Sequence, residues 1–187
     1  MIDSILDYFS NSGAIGIIVL LVLSFYFILT FTIFIYRFKA LKEITENEKK
    51  SLELLASGST TTRDLSKLNK CIGSSQVSKE ILNACEISLI RDASQGVSWL
   101  SIVSSTAPFI GLFGTVVGIL ESFAKFSTQS KVSFSVIAPA ISEALVATAA
   151  GIFVAIFVYT FHQILTRKIY EFNTYLKAQA EVLLLKR

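Results

Sequence analysis

In the stretch "APAISEALVATAAGIFVAIFVY", Glu143 is the only charged residue between Lys131 and Arg167. A carboxylate set among Ala, Ile, Val, Phe and Gly costs about 3 kcal/mol at the centre of a membrane span. It therefore faces a bundle interior or water, and such a group often marks an ion or proton path. The structural alternative is a residue that fixes helix register or pairs with a lysine of a neighbouring subunit. Two hydroxyls accompany it. Thr115 stands four residues after Gly111 and three before Gly118 in "SIVSSTAPFIGLFGTVVGILESF", and Thr148 follows Glu143 within the same segment. Each hydroxyl can bond a backbone carbonyl or order a water. Glu121 has a plainer role, because Lys125 follows it at i+4 and a solvated ion pair suffices there.

The segments that carry these groups share a second property. Ala107, Gly111, Gly114 and Gly118 recur at four-, three- and four-residue intervals, and Glu143, Ala147, Gly151 and Ala155 form a similar row in the later segment. Small side chains let helix backbones approach closely. By themselves such rows describe ordinary helix packing; together with the isolated carboxylate they predict a homo-oligomer sealed by close helix contact, which Gly114→Leu would disrupt. Pro108 removes one helical donor, leaves the Ser104 carbonyl without its usual partner and bends the helix.

Apolar residues make up 52% of the chain and charged residues 17%, with a mean hydropathy of +0.62. That balance indicates an integral membrane protein. Three stretches reach across a hydrocarbon core of about 30 Å as helices, and nothing alternates with the period of two that a barrel requires. The first stretch differs from a secretory signal in its flanks: Asp3 and Asp7 precede it, while Arg37, Lys39 and Lys42 follow. Ten Lys/Arg lie between Arg37 and Leu100 and five after Leu165, against only Lys125 and Lys131 between the second and third stretches. By the positive-inside rule the N-terminus faces outward and the C-terminus inward. The expected organisation is an outward-facing segment (1–13), transmembrane helix 1 (14–36), a cytoplasmic helical insert (37–99), transmembrane helix 2 (100–125), a periplasmic loop (126–135), transmembrane helix 3 (136–165) and a cytoplasmic C-terminal helix (166–187).

Within the insert, "KALKEITENEKKSLELLASG" reads as a helix ending at Gly58, and Thr61 or Thr62 as the N-cap of another. From Val77 an apolar stripe runs through Ile81, Cys85 and Leu89 with Ala84 beside it. Gly96 is the weak point before the second span, and Trp99 an interfacial anchor. In the tail, Leu165, Ile169, Phe172, Leu176, Ala180 and Leu183 share one face, for packing on the insert or additionally on neighbouring subunits. Cys71 and Cys85 are expected to remain reduced thiols without redox or metal role. His162 lacks a ligand-type partner at helical spacing, so neither a metal nor a cofactor is expected.

"APFIGLFGTVVGILESF" followed by "ISEALVATAAGIFVAI" resembles the MotA, TolQ and ExbB proton-channel family, most closely its ExbB/TolQ branch. The resemblance covers residues 98–167 and fits the three-span topology. It implies an all-α fold assembling as a homo-oligomeric ring, a pentamer, around two copies of a single-span ExbD- or TolR-like partner whose aspartate carries protons. Thr115, Glu143 and Thr148 match the family's polar pore-lining positions. The implied function is a proton-driven stator of the bacterial inner membrane that works a TonB- or TolA-like protein across the periplasm, and it is not enzymatic. Val117 and Phe157 depart from the Trp and Pro common in the branch, which leaves the subfamily open.

Two other classes stay in view: a non-conducting membrane scaffold in which Glu143 sets register, and a self-contained transporter, disfavoured by the lack of an internal repeat. ATP use has no support without a "GxxxxGK" motif. Nucleic acid has none either, since eight acidic residues balance the ten basic ones of the insert.

Overall fold

The computed structural model describes residues 14–57, 66–73, 77–126 and 134–185. Its described residues form the helices α1 (Ala14–Ala56), α2 (Lys67–Ile72), α3 (Lys79–Ser94), α4 (Val97–Phe126) and α5 (Phe134–Leu185). Helices α1, α4 and α5 are each long and apolar enough to cross a membrane. No Pro and no Gly beyond Gly16 interrupts α1, so the first span and the polar sequence after it form one helix of 43 residues. At about 1.5 Å per residue that is roughly twice a hydrocarbon core, and its charged half must leave the bilayer. The same holds for α5, 52 residues long, which joins the third span to the C-terminal helix. The expected N-caps Thr61 and Thr62 lie outside the described residues.

The chain divides into two compact units, Met1–Phe31 with Trp99–Thr160, and Thr32–Ser98 with Phe161–Arg187. In the first, α4 lies against α5 along the small-residue rows. A Cβ built on Gly111 would stand 2.6 Å from the Ala147 carbonyl oxygen, and one on Gly151 2.6 Å from that of Ala107. Both obstacles are backbone, so no side chain can move aside. Gly114 faces Ala147 and Val19, and Gly118 faces Ala144. The rows expected to seal one subunit to the next thus meet inside a single chain, because their small residues face each other at matching intervals. The Gly114 neighbourhood belongs to intrachain packing. Outside this seam Phe109, Phe113 and Leu120 of α4 and Phe153 and Ile156 of α5 are exposed, the pattern of lipid-facing or partner-facing spans. Pro108 lies inside α4 without ending it; one turn earlier the hydroxyls of Ser104 and Ser105 bond back to the Ser101 carbonyl.

In the second unit the buried residues of α5, Leu165, Phe172, Leu176 and Gln179, follow seven-, four- and three-residue steps, the spacing of a coiled-coil seam. Leu41, Thr45, Glu48, Ser51 and Leu55 of α1 are also buried. Ala180 and Leu183, expected on the buried face, are only half-buried; Gln179 takes the place between Leu176 and Leu183. It is buried because it is bonded. Its amide nitrogen donates to the Glu48 carbonyl oxygen (2.7 Å) and to Glu48 Oε2 (2.8 Å). The Glu48 carboxylate also accepts from the Ser66 hydroxyl (2.7 Å) and the Lys67 N–H (2.6 Å), so a charge with no solvent exposure holds the N-terminus of α2. Ser66 caps α2 and Ser78 caps α3. Beside the latter, the Glu80 carboxyl is held below its ordinary range by its backbone N–H and the Ser78 hydroxyl. On α3 the buried residues are Leu82, Cys85 and Ala93, while Ala84 is exposed and Ile81 and Leu89 half-buried. Gly96 separates α3 from α4 at φ +78°, a conformation that glycine adopts freely.

The expectation of two reduced thiols without redox role is corrected in the structure by their pairing. Cys71 and Cys85 are joined by a disulfide, with Cα atoms 5.9 Å apart. Their separation of 14 residues matches no short motif, but the turn at Gly73 folds α2 back on α3 and brings the two together.

Candidate proton-path site

The close approach at Gly111 and Gly151 lets a short side chain reach from one helix to the other. Thr115 of α4 is 8% exposed, and its hydroxyl lies 3.1 Å from the Ala144 carbonyl oxygen of α5 and 3.3 Å from that of Gly111 in its own helix. It also shares a short hydrogen bond with the Thr148 hydroxyl. Thr148 is half-buried. Two of the three expected polar residues are thereby brought into direct contact. Glu143, half-buried, lies five residues before Thr148, about 7.5 Å along the axis toward the N-terminus of α5, next to the Ala144 whose carbonyl faces Thr115. The Lys125 side chain, expected to pair with Glu121, lies outside the described residues.

Two hydroxyls carry two protons, and that limits what the pair can do. In one arrangement Thr148 donates to Thr115, and Thr115 donates to the Ala144 or Gly111 carbonyl. In the other, Thr115 donates to Thr148, whose own proton is then available to another acceptor. The pair is a two-way donor and acceptor of which only Thr148 has an accessible side. The Gly111 carbonyl, four residues back in the same helix, is the usual partner of a helical threonine, whereas the Ala144 carbonyl was not foreseeable, since any residue supplies a carbonyl. Around Phe157, the departure from the branch's common proline, α5 packs by rings: Phe157 meets Phe27 of α1 edge-on at 6.1 Å and Phe153 at 4.7 Å.

Three long apolar helices, two of them pressed together around a pair of hydroxyls, define a multi-pass helical membrane protein. The model of the MotA/TolQ/ExbB proton channel family matches residues 57–178, and the chain belongs to that family, closest to its ExbB/TolQ branch. An ExbB-like biopolymer transport protein of Helicobacter pylori is 42% identical over 189 residues, covering the whole of both chains. The biopolymer transport protein ExbB of Pseudomonas putida is 42% identical over 96 residues, 51% of this chain and 29% of its own. TolQ of the Tol-Pal system of Pseudomonas aeruginosa is 39% identical over 83 residues, 43% of this chain and 36% of its own. Membership supports a role in energy transduction coupled to the proton motive force and a place in the bacterial inner membrane as a multi-pass protein.

Proposed function

We propose that this chain is the channel-forming subunit of an inner-membrane motor, assembled as a pentamer around a single-span ExbD- or TolR-like partner and driving a TonB- or TolA-like protein in the periplasm. A relative matched over its full length carries the ExbB-like name, which favours the TonB-like load. The N-terminus faces the periplasm, and residues 37–99 and 166–187 lie in the cytoplasm, with the Lys/Arg asymmetry as the supporting observation.

The observation that carries the reading is the Thr115–Thr148 contact. Thr115 is tied to backbone and positions Thr148. Thr148 presents a hydroxyl that switches between donor and acceptor to a water or to the partner's carboxyl, and Glu143 maintains the polar path beyond it. A proton moving through a potential of about 150 mV releases roughly 3.5 kcal/mol, so a few coupled protons suffice for a conformational step. One subunit encloses little of this: only 28% and 33% of the most apolar stretches of α4 and α5 are buried, so the remaining surface is available to lipid, sister subunits and the partner helix.

Thr148→Val and Thr148→Ser test the proposal. At matched levels of assembled complex, the valine variant loses at least about tenfold of its proton-motive-force-driven work and the serine variant keeps most of it, because only the latter retains a hydroxyl. Full activity in Thr148→Val would remove the hydroxyl pair from the path. The scaffold reading would then gain, and with it a purely structural Thr115.

A further inference from the structure

The cysteine pair has no place in the proton path, yet its surroundings are specific. Cys71 lies in the last turn of the short helix α2 and is exposed, whereas Cys85 lies on the buried face of α3 at 5% exposure. Helix α2 has six residues, too few for stability of its own, and its anchors are Leu68 and Ile72 in the core together with the Glu48 contacts at Ser66 and Lys67. The disulfide cross-links α2 to α3 in addition to the backbone that joins them. Through Glu48 and Gln179, α2 is in turn hydrogen-bonded to α1 and α5. A bond from Cys71 to Cys85 therefore links α3 to the long helices of this unit.

We propose that Cys71 and Cys85 form a redox modification site, a thiol pair that closes under oxidising conditions and staples α2 to α3. The inference rests on the proposed topology, which places the pair in the cytoplasm, where thiols are kept reduced and disulfides are transient and redox-responsive. Closure needs a two-electron oxidant of the peroxide class. The Cys71 thiolate, on the exposed side, attacks one peroxide oxygen; the O–O bond breaks, and Cys71 becomes a sulfenic acid as the other oxygen leaves as water or alcohol. The Cys85 thiolate then attacks the Cys71 sulfur and releases the hydroxyl as water. Opening needs a dithiol of the thioredoxin class. Its thiolate attacks Cys71, the accessible sulfur, and Cys85 leaves as a thiolate and takes up a proton; the second thiol of the reductant resolves the mixed disulfide, so the reductant carries away the disulfide. Oxidised, the closed loop of 15 residues favours the folded segment by up to about a hundredfold; reduced, α2 relies on its apolar anchors and the Glu48 contacts.

The full-length protein is tested in cells and in detergent. Cells are acid-quenched, and free thiols are tagged with a heavy maleimide before and after a peroxide pulse; membrane-impermeant phosphine is applied in parallel to spheroplasts and to inverted vesicles. The expected result is two tags in unstressed cells, none after the pulse, and phosphine access to the oxidised pair only in inverted vesicles. Purified oxidised protein should be cut by trypsin at Lys67, Lys70 and Lys79 at least about tenfold more slowly than reduced protein, and Cys71→Ser should cut at the reduced rate under both conditions. A disulfide in unstressed cells that phosphine opens from outside would refute the topology, and the inference with it. One present in unstressed cells and opened only from inside would leave the topology standing and make the pair a permanent staple, overturning the switch. Two free thiols after the pulse, or equal trypsin rates, would overturn it as well.

Discussion

Gly111→Ala adds one methyl group at the tightest point of the α4–α5 seam, and the structure sets its cost. The new carbon would lie 2.6 Å from the Ala147 carbonyl oxygen, 3.0 Å from Thr148 Cα and 3.1 Å from Gly151 Cα. All three are backbone atoms, so the helices must separate by about 0.8 Å to restore the 3.4 Å of ordinary contact. The same separation stretches the bond from Thr115 to the Ala144 carbonyl, now 3.1 Å, toward 4 Å, beyond hydrogen-bonding reach. Overpacking of this kind costs about 1–3 kcal/mol and the lost bond about 1 kcal/mol more, so roughly 2–4 kcal/mol in all. Unfolding by SDS titration in mixed micelles measures it. Gly16→Ala is the control, since a Cβ there meets nothing within 4 Å. A double-mutant cycle sharpens the test: Thr115→Val should cost about 1 kcal/mol in the parent chain and close to nothing beside Gly111→Ala. If Gly111→Ala proved as mild as Gly16→Ala, the account of the seam would be wrong.

Gly114→Leu should destabilise the isolated subunit by 3 kcal/mol or more on the order-of-magnitude scale of overpacking, since even a Cβ there meets Ala147 and Val19 at 3.0 Å; unfolding at subunit concentrations too low for assembly checks that the defect is intrachain. Glu48→Ala should cost about 2–4 kcal/mol by leaving the Lys67 N–H without its acceptor and the Ser66 hydroxyl and the Gln179 amide with one acceptor fewer each, and should appear as faster hydrogen exchange at the start of α2. In sealed cells a membrane-impermeant thiol reagent should label a cysteine placed at Ser130 but not one at Ser59, in a background with both native cysteines replaced by serine; labelling at Ser59 would invert the topology.

Helix content and three spans were legible in the sequence because apolar length and the absence of breakers decide both. Gly96 was legible as a break for the same reason. The continuity of α1 and α5 was harder to see, since a change from apolar to charged residues looks like a boundary although the backbone has no cause to stop. Thr115 and Thr148 were legible as polar positions beside rows of small residues, but their contact was not. That the two rows face each other, rather than a neighbouring subunit, depends on the register between helices, which no single segment encodes. Gln179 and Glu48 were missed because burial is ordinarily inferred from apolarity; a Gln at the third step after Leu176 in the row Phe172, Leu176, Leu183 was the available clue. The cysteine pairing depended on the turn at Gly73, and spacing along the chain said nothing of it.

Glu143 is where the functional account is most exposed. Proton-motive-force-dependent work of the reconstituted motor, measured at matched levels of assembled complex for Glu143→Ala and Glu143→Gln, puts the question directly. The account expects the complex to assemble in both variants and Glu143→Ala to lose its proton-coupled work, with Glu143→Gln reporting how much of the role needs ionisation rather than polarity. Full activity in Glu143→Ala would contradict the proton-path role, and loss of the oligomer itself would make Glu143 a structural residue.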